Sequence, residues 1–379
     1  MIIILHPDAN KNDQEYQRLM EHLAALPAVR PRTHVEVGAK QTLTEIYLIG
    51  DTSPLDSKEI EGFEIVERVV RVSQEYRVLG RHKGDTRPSH FEYNGVRFGQ
   101  DSLQIFAGLC AVDTREHVEA MLRALRDHGQ VCTRMGAYKP RTNPYSFQGH
   151  GKDCLPYVFE SAGKYGIRVI AMEIVHDTNI EEIAEALRRS GDPTGVMLQI
   201  GTRNTQNFEL LKCAGRQRRF PVLMKRGFGI TLEESLNAAE YLASEGNRNV
   251  VFCLRGVKTN MGDPHRNLVD FAHIAAVKRL TRMPVCIDPS HAVGSRGRAP
   301  DGILDVLHAT AQGVIAGANM VLADFHPHPA KALVDGPQAL TIEELGPFLE
   351  DVAIAREAYE KRRRLYERAA TEAGLRSAV

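Results

Sequence analysis

The spacing of apolar residues over positions 1–72 predicts a small α+β unit. Tyr16, Leu19 and Leu23 follow the spacing of one helix face, and a second, shorter helix is predicted near residues 56–60. Four short apolar runs predict strands. In chain order they are Ile2–Leu5, Val35–Val37, Glu45–Gly50 and Val66–Val72. The resulting βαββαβ order is that of a ferredoxin-like module, which we assign to residues 1–72.

Residues 73–101 interrupt this pattern and are mostly polar. Gly80, Gly84 and Pro88 are residues that break regular structure, and Asn94-Gly95 is a turn sequence typical of a β-hairpin. We therefore predict that this segment is a linker that contains a hairpin.

From residue 102 onward, short apolar runs alternate with helical stretches, which predicts a (β/α)8 barrel of the TIM type over residues 102–379. The alternative, a doubly wound sheet, is disfavoured because no Gly-x-Gly-x-x-Gly follows an early strand. A charged helical stretch at about 341–373 is expected to close the barrel or to form an oligomer contact. The predicted strands are Leu103–Ala107, Gln130–Arg134, Arg168–Glu173, Gly195–Ile200, Pro221–Lys225, Asn249–Leu254, Met283–Ile287 and Asn319–Ala323.

The overall charge indicates which classes of binding partner are not expected. The chain has 48 Lys and Arg against 48 Asp and Glu, so its formal net charge is +0. Proteins that bind nucleic acid or membrane surfaces usually carry a basic excess, so neither partner is expected. No apolar run reaches the length of a membrane span, and the first residues lack the layout of a signal peptide. The six cysteines are scattered without a Cys-x-x-Cys pair, as expected of reduced thiols in a cytoplasmic protein.

Cations follow several predicted strands, at the end where barrel enzymes place their chemistry. Such cations would repel one another at one barrel mouth unless anions offset their charge. Prolines restrict the backbone of segment 139–149, so its cations are held rather than freely solvated. Together these features predict a phosphorylated, polyanionic substrate. The cations are Arg134, Lys139, Arg203, Lys225 and Arg255.

A second group of residues after the predicted strands offers a thiol, an imidazole and carboxylates. Alone, a free cysteine is most often a buried small apolar residue, and a lone histidine is often structural. Their coincidence after the first, seventh and eighth strands predicts a site for one divalent first-row metal ion. The residues are Cys110, His291, Asp324 and Asp335.

With these motifs assembled, the chain resembles the 3-deoxy-D-arabino-heptulosonate 7-phosphate (DAHP) synthases, in the class with an N-terminal ferredoxin-like regulatory domain. The resemblance covers essentially the whole chain. It implies an aldol-like condensation of phosphoenolpyruvate (PEP) with erythrose 4-phosphate, the first step of the shikimate pathway. The motifs are AYKPRTNPYSFQG (137–149), LQIGTRNTQNFELLK (198–212), PVLMKRG (221–227), GNRNVVFCLRG (246–256), DPSHAVG (288–294) and KALVDGPQ (331–338).

The resemblance also implies roles for individual residues. The five cations Arg134, Lys139, Arg203, Lys225 and Arg255 match positions that bind PEP. Lys139, Glu173 and His291 are the expected catalytic residues, with Lys139 as proton donor to the developing alkoxide. The expected clamp for the aldehyde substrate is Lys139, Pro140, Arg141, Thr142 and Asp288. Cys110, His291, Asp324 and Asp335 match the ligands of a Mn, Fe, Co or Zn type ion. The small domain is expected to bind an aromatic amino acid effector in a homotetramer or homodimer.

Some positions depart from the family pattern, mainly near the expected metal and aldehyde sites. Leu109 and Ala111 replace the usual proline and serine around Cys110, Asp324 replaces a glutamate, and His328 stands where an acidic residue is expected. Two alternatives therefore stay open. One is a related enzyme that condenses PEP with a different aldose phosphate, and the other is a weakly active regulatory paralogue.

Overall fold

The computed structural model describes residues 1–7, 9–37, 42–52, 54–71, 76–82 and 87–372. The chain divides into two compact units, residues 1–85 and 86–379. Val72 of the predicted fourth strand and the linker residues 73–75 and 83–86 lie outside the described residues.

The first unit has the predicted βαββαβ order around an antiparallel sheet with strand order β2-β3-β1-β4. Tyr16, Leu19 and Leu23 of the first helix are buried on one helix face and pack with Ile3 and Leu48 of the sheet. The second helix begins after Asp56, whose side chain accepts a hydrogen bond from the backbone of Lys58. The elements are β1 (Ile2–Leu5), α1 (Gln14–Ala25), β2 (Val29–Val37), β3 (Thr42–Gly50), α2 (Ser57–Glu61) and β4 (Val66–Val70).

The second unit contains a closed barrel of eight parallel strands, which confirms the predicted (β/α)8 fold. Strand β14 pairs with β7 and closes the barrel. The barrel strands are β7 (Gln104–Leu109), β8 (Cys132–Met135), β9 (Val169–Ile174), β10 (Gly195–Ile200), β11 (Val222–Lys225), β12 (Val250–Leu254), β13 (Val285–Ile287) and β14 (Met320–Asp324). The helices are α3 (Arg115–Asp127), α4 (Leu155–Lys164), α5 (Thr178–Arg189), α6 (Phe208–Arg216), α7 (Leu232–Ser244), α8 (His273–Leu280), α9 (Pro289–Val293), α10 (Asp305–Ile315) and α11 (Leu345–Glu372).

A hairpin of β5 (His90–Tyr93) and β6 (Val96–Gly99) turns at Asn94-Gly95 and covers the end of the barrel where the strands begin. Its residues Val96 and Phe98 are buried in the same apolar cluster as the inward-facing barrel residues. Asn94 donates to the carbonyl of Arg168, and the Tyr93 hydroxyl accepts from the backbone of Val196. With this end covered, the opposite end, where the strands finish, is the open mouth.

Helix α11 packs against α10 on the outside of the barrel, in the stretch predicted to be helical. Among the helices of the described residues, none combines the length and the apolar character needed to cross a membrane.

Candidate active site

A cavity of about 210 Å³ opens at the carboxyl ends of the barrel strands. This is the end of the fold where loops can differ without disturbing the barrel, and where barrel enzymes carry their sites. It brings together most of the residues that the sequence pattern selects. The lining residues are Lys139, Pro140, Arg141, Thr142, Asn143, Ser146, Glu173, Gly201, Thr202, Arg203, Lys225, Arg255, Arg266, His291 and Asp335.

Two buried lysines in the cavity each pair with a buried carboxylate. The Lys139 ammonium donates to Glu173 at 3.0 Å and lies 3.3 Å from the Cys110 sulfur. Lys225 donates to Asp288 at 2.6 Å. Burial opposes the charge on Lys139, but Cys110 and Glu173 outweigh it and raise the pKa of its ammonium, so Lys139 remains protonated. Burial likewise opposes the charge on Glu173, yet Lys139 and Lys225 lower the pKa of that carboxyl.

Two arginines that line the cavity differ in their hydrogen bonds. Arg203 donates from Nε and Nη2 to the Thr142 hydroxyl, which links it to the loop after β8. Arg255 is 1% exposed, and its Nε and Nη1 have no hydrogen-bond partner among the described residues. Burial lowers the pKa of both guanidinium groups. A buried guanidinium with free donors is costly unless an anion pairs with it, so Arg255 identifies the place where an anion would bind. We call Arg203, Lys225 and Arg255, at the ends of β10, β11 and β12, the cation side.

Across the mouth, the four predicted metal ligands offer donor atoms that all lie within 4.8 Å of one another. Cys110, His291, Asp324 and Asp335 follow β7, β13 and β14, and we call them the thiol–carboxylate side. The Cys110 sulfur is 3.1 Å from an Asp335 oxygen and 3.8 Å from His291 Nε2, which itself is 3.4 Å from Asp335. A thiol, an imidazole and two carboxylates at these separations fit a first-row divalent ion.

The histidine of this group is held by a second carboxylate. Asp288 caps α9 by accepting the His291 backbone N–H, and it also pairs with His291 Nδ1 at 3.0 Å. This leaves Nε2 facing Cys110 and Asp335, the arrangement that orients a metal-binding imidazole. Burial favours the neutral ring, but Asp288 and Asp324 raise the pKa of His291 well above its ordinary value. Despite burial, His291 and Lys139 lower the pKa of Asp335.

Both carboxylate oxygens of Asp324 are engaged by neighbouring side chains. One carboxylate oxygen accepts from Arg134 and the other from the side-chain amide of Gln338, each at 2.5 Å. Arg134 is thus the partner of a buried carboxylate rather than a lining residue of the cavity. The nearby Asp324 raises the pKa of the Arg134 guanidinium, although burial opposes this shift. The sequence pattern placed Arg134 among the PEP cations, whereas its direct contact here is with the thiol–carboxylate side.

Sequence reasoning missed several contributors to the mouth. Arg266 lines the cavity and donates to both Asp335 and Gln338 at 3.1 Å. It lies well beyond the end of β12, so a search limited to strand ends could not select it. Gln338 was visible only as the last residue of the KALVDGPQ motif.

Asp113 is a third residue that sequence reasoning missed, and its contacts connect three loops. Its carboxylate pairs with His117 and His326, and its backbone carbonyl accepts a hydrogen bond from the His150 ring at 2.8 Å. These partners belong to α3, to the loop after β14 and to the end of the loop after β8. Asp113 therefore connects the loops after β7, β8 and β14, the first two of which carry Cys110 and Lys139 and the last of which follows Asp324.

Comparison with known proteins finds two family profiles that together match residues 1–359. A profile of the DAHP synthetase I family matches residues 73–359, and a profile of the DAHP synthase ferredoxin-like domain matches residues 1–74. The phospho-2-dehydro-3-deoxyheptonate aldolase of Thermotoga maritima is 35% identical over 93% of this chain and 96% of its own length. A 2-dehydro-3-deoxyphosphooctonate aldolase of Acidithiobacillus ferrooxidans is 28% identical over 66% of this chain and 88% of its own length.

Solved structures agree. The crystal structure of the Thermotoga maritima DAHP synthase superposes with a TM-score of 0.67 at 30% identity, covering 94% of this chain and 96% of that one. A truncated form of that enzyme gives a TM-score of 0.60 over 78% of this chain and 98% of its own length. The predicted ferredoxin-like domain is thereby confirmed, and the chain belongs to the DAHP synthetase I family.

Proposed function

We propose that the chain condenses PEP with erythrose 4-phosphate to give DAHP and inorganic phosphate. One observation carries the proposal: a single cavity holds Lys139 of the KPRT segment, Glu173 and the free N–H donors of Arg255. Cations that could bind an anion and a lysine that could donate a proton thus line the same cavity. Membership of the DAHP synthetase I family over residues 73–359 supports the same reaction.

The cation side is assigned to PEP. Arg255 and Arg203 offer N–H donors to the phosphate and carboxylate of PEP, and Lys225 supplies a point charge. As the phosphate leaves, these fixed donors stabilise its negative charge without having to reorganise. Arg134 and Lys139 complete the cations assigned to PEP, and Arg134 also contacts Asp324 of the thiol–carboxylate side.

The loop after β8 is assigned to the aldehyde substrate. Arg141 and Thr142 line the cavity next to Lys139, and Thr142 also accepts from Arg203. We assign the clamp on erythrose 4-phosphate to these residues together with Asp288, which pairs with Lys225 and His291. A clamp there would hold the aldehyde near Lys139.

The reaction forms a C–C bond from C3 of PEP to the aldehyde carbon, and it converts the aldehyde oxygen to an alkoxide that needs a proton. Lys139 is protonated, buried and next to the loop assigned to the aldehyde, so we assign it as the proton donor. Water then adds to C2 of PEP near Glu173, and the C2–O bond to phosphate breaks. Glu173 is ionised, which suits a group that orients or accepts a proton from that water.

A divalent ion of the Mn, Fe, Co or Zn type would be held by Cys110, His291, Asp324 and Asp335. Bound there, it would polarise the aldehyde carbonyl.

The test is phosphate release from PEP with a panel of aldose phosphates. Erythrose 4-phosphate should give the highest kcat/KM, and Lys139→Met should remove turnover while surface variant Arg189→Ala keeps it. A preference for a five-carbon aldose phosphate, which with the three carbons of PEP gives an eight-carbon product, would instead favour the reaction of the phosphooctonate aldolases. No phosphate release with any aldose would favour a regulatory paralogue.

For the first unit we propose a regulatory role, supported by the ferredoxin-like domain profile over residues 1–74. Its effector is an aromatic amino acid, and the enzyme works in the cytoplasm as a homotetramer or homodimer. A ligand regulates only if it binds one arrangement of the enzyme better than another, so effector and substrate affinities must be linked.

A further inference from the structure

The ring of Phe228 lies beside three cations at the end of β11. Its centroid is 4.8 Å from the guanidinium carbon of Arg255, 5.3 Å from that of Arg203 and 5.9 Å from the ammonium of Lys258. All three distances fall in the range where the negative face of an aromatic ring attracts a cation. The ring therefore contacts two members of the cation side at once.

The local sequence fixes where this ring can lie. Gly229 adopts a φ of +63°, a left-handed conformation that favours glycine, and the chain then enters α7 through a capping box between Thr231 and Glu234. On the other side of Phe228, a Cβ at Gly227 would lie only 2.6 Å from Ile230. Two glycines and a capped helix thus hold the loop in one tight turn.

The loop that carries Arg203 is tied to the same turn. The Thr202 hydroxyl donates to the carbonyl of Arg226 at 2.7 Å, and the Thr205 hydroxyl donates to that of Lys225 at 2.9 Å. Arg203 and Phe228 therefore keep their relative positions.

Contact with a ring face restrains a guanidinium without using any of its N–H donors. A carboxylate beside Arg255 would also have held it, but would have consumed the donors and cancelled the charge. Arg255 instead keeps Nε and Nη1 without a partner among the described residues, although the side chain is buried. Contact with the ring therefore restrains the Arg255 side chain and leaves its N–H donors available to bind an anion.

We propose that Phe228 is a positioning residue of the anion site, holding Arg203 and Arg255 by their faces so that their N–H edges converge on a phosphate. Identifying that phosphate as the one carried by PEP rests on the proposed function.

The experiment is calorimetric titration of the full-length protein with inorganic phosphate. Replacing Phe228 by trifluorophenylalanine keeps the ring shape and weakens its negative face, so the phosphate Kd should rise about tenfold. Phe228→Leu should have a similar or larger effect, and Phe228→Tyr, which retains the face, should bind like wild type. Trifluorophenylalanine at Phe208, which stacks on Tyr241 between α6 and α7, is the matched control and should change nothing.

Steady-state kinetics add a second readout. The KM for PEP should rise in parallel with the phosphate Kd, while the KM for the aldose phosphate stays unchanged. A folded trifluorophenylalanine protein with wild-type phosphate affinity would overturn the proposal, as would a Phe228→Tyr variant as weak as Phe228→Leu. Phosphate binding needs no turnover, so a ring-dependent Kd in a protein inactive toward erythrose 4-phosphate would retain this inference and reject only the proposed function.

Discussion

The cation side and the thiol–carboxylate side of the barrel mouth treat buried charge differently. On the cation side, Arg255 is buried with donors that no described residue takes up. On the thiol–carboxylate side, Cys110, His291, Asp324 and Asp335 contact one another or a neighbouring cation. The buried charge of Arg255 lowers the stability of the free protein, but its donors remain available to an anion. On the thiol–carboxylate side, each charged group is stabilised by its neighbours, so the loss of one group leaves another without a partner.

This difference gives opposite expectations for mutation. Removing an unpaired buried cation should stabilise the free protein, because a desolvated charge disappears. Removing one member of the network should destabilise it, because a partner is left buried and uncompensated. The departures Leu109, Ala111 and Asp324 from the family pattern all fall on the second side.

The largest effect is expected from metal removal. Full chelation, verified by elemental analysis, should lower activity by about ten-thousandfold or more, because carbonyl polarisation contributes several kcal/mol. Inorganic phosphate should still bind to the cation side, which is the internal control. Persistent activity in metal-free protein would show that the reaction does not need a metal ion at the thiol–carboxylate side.

Breaking the network should have the next largest effect. Asp324→Asn leaves Arg134 buried without its counter-ion, and we expect the free energy of unfolding to fall by about 3–5 kcal/mol. Chemical denaturation measures this change. An unfolding free energy equal to that of wild type would show that the Arg134–Asp324 contact contributes nothing.

Asp324→Glu keeps the charge and is the matched control for that variant. It should retain most of the stability and should shift metal affinity or preference, since the carboxylate reaches further by one methylene. Metal titration of the two proteins measures this shift. Identical metal binding would remove Asp324 from the ligand set.

On the cation side, Arg255→Met should separate stability from binding. Removal of the unpaired guanidinium should raise the free energy of unfolding by about 1 kcal/mol. The same change should weaken PEP binding by about 2–5 kcal/mol, because a phosphate contact is lost. A loss of stability with unchanged PEP affinity would reverse our description of this side.

Lys225→Met tests the contrast within the cation side itself. Because Lys225 pairs with the fully buried Asp288, its removal should weaken both the fold and PEP binding. The thermal unfolding midpoint should therefore fall in Lys225→Met and rise in Arg255→Met, each relative to wild type.

The smallest effect on the mouth is expected from deleting residues 1–72. Turnover without effector should remain unchanged, because every lining residue of the cavity belongs to the second unit. Inhibition by tyrosine or phenylalanine should occur in the full-length enzyme and vanish in the shortened one. Insensitivity of the full-length enzyme to aromatic amino acids and to later pathway products would reject the regulatory proposal.

The fold was predictable because buried parallel strands are short apolar runs, and Gly195–Ile200 was predicted to the residue. Strand β2 was predicted six residues too short at its start, and the reason is physical. It begins at Val29 and includes Pro31 between two arginines, a composition that an edge strand tolerates. Single-sequence patterns cannot reveal that this strand lies at the edge of the sheet.

Of the candidate site, the sequence could predict mainly the residues that lie at the ends of the barrel strands or in the loops that follow them. Lys139, Glu173, Lys225 and Arg255 came from that rule, and the structure brings them to one cavity. The pairing of Arg134 with Asp324 depends on side-chain conformation and on a carboxylate one methylene shorter than usual, neither of which a pattern specifies. Phe228 looked like an ordinary apolar residue, because its role depends on cations that come from two other strands.

The hairpin at the closed end of the barrel has a consequence for how this chain can be divided. Phe98 and Val96 belong to the same apolar core as the strands, so the hairpin is part of the catalytic unit rather than a spacer. A transplantable enzyme module must therefore start before His90. A fragment that begins at residue 102, where the strand pattern starts, would leave the floor of the barrel uncovered.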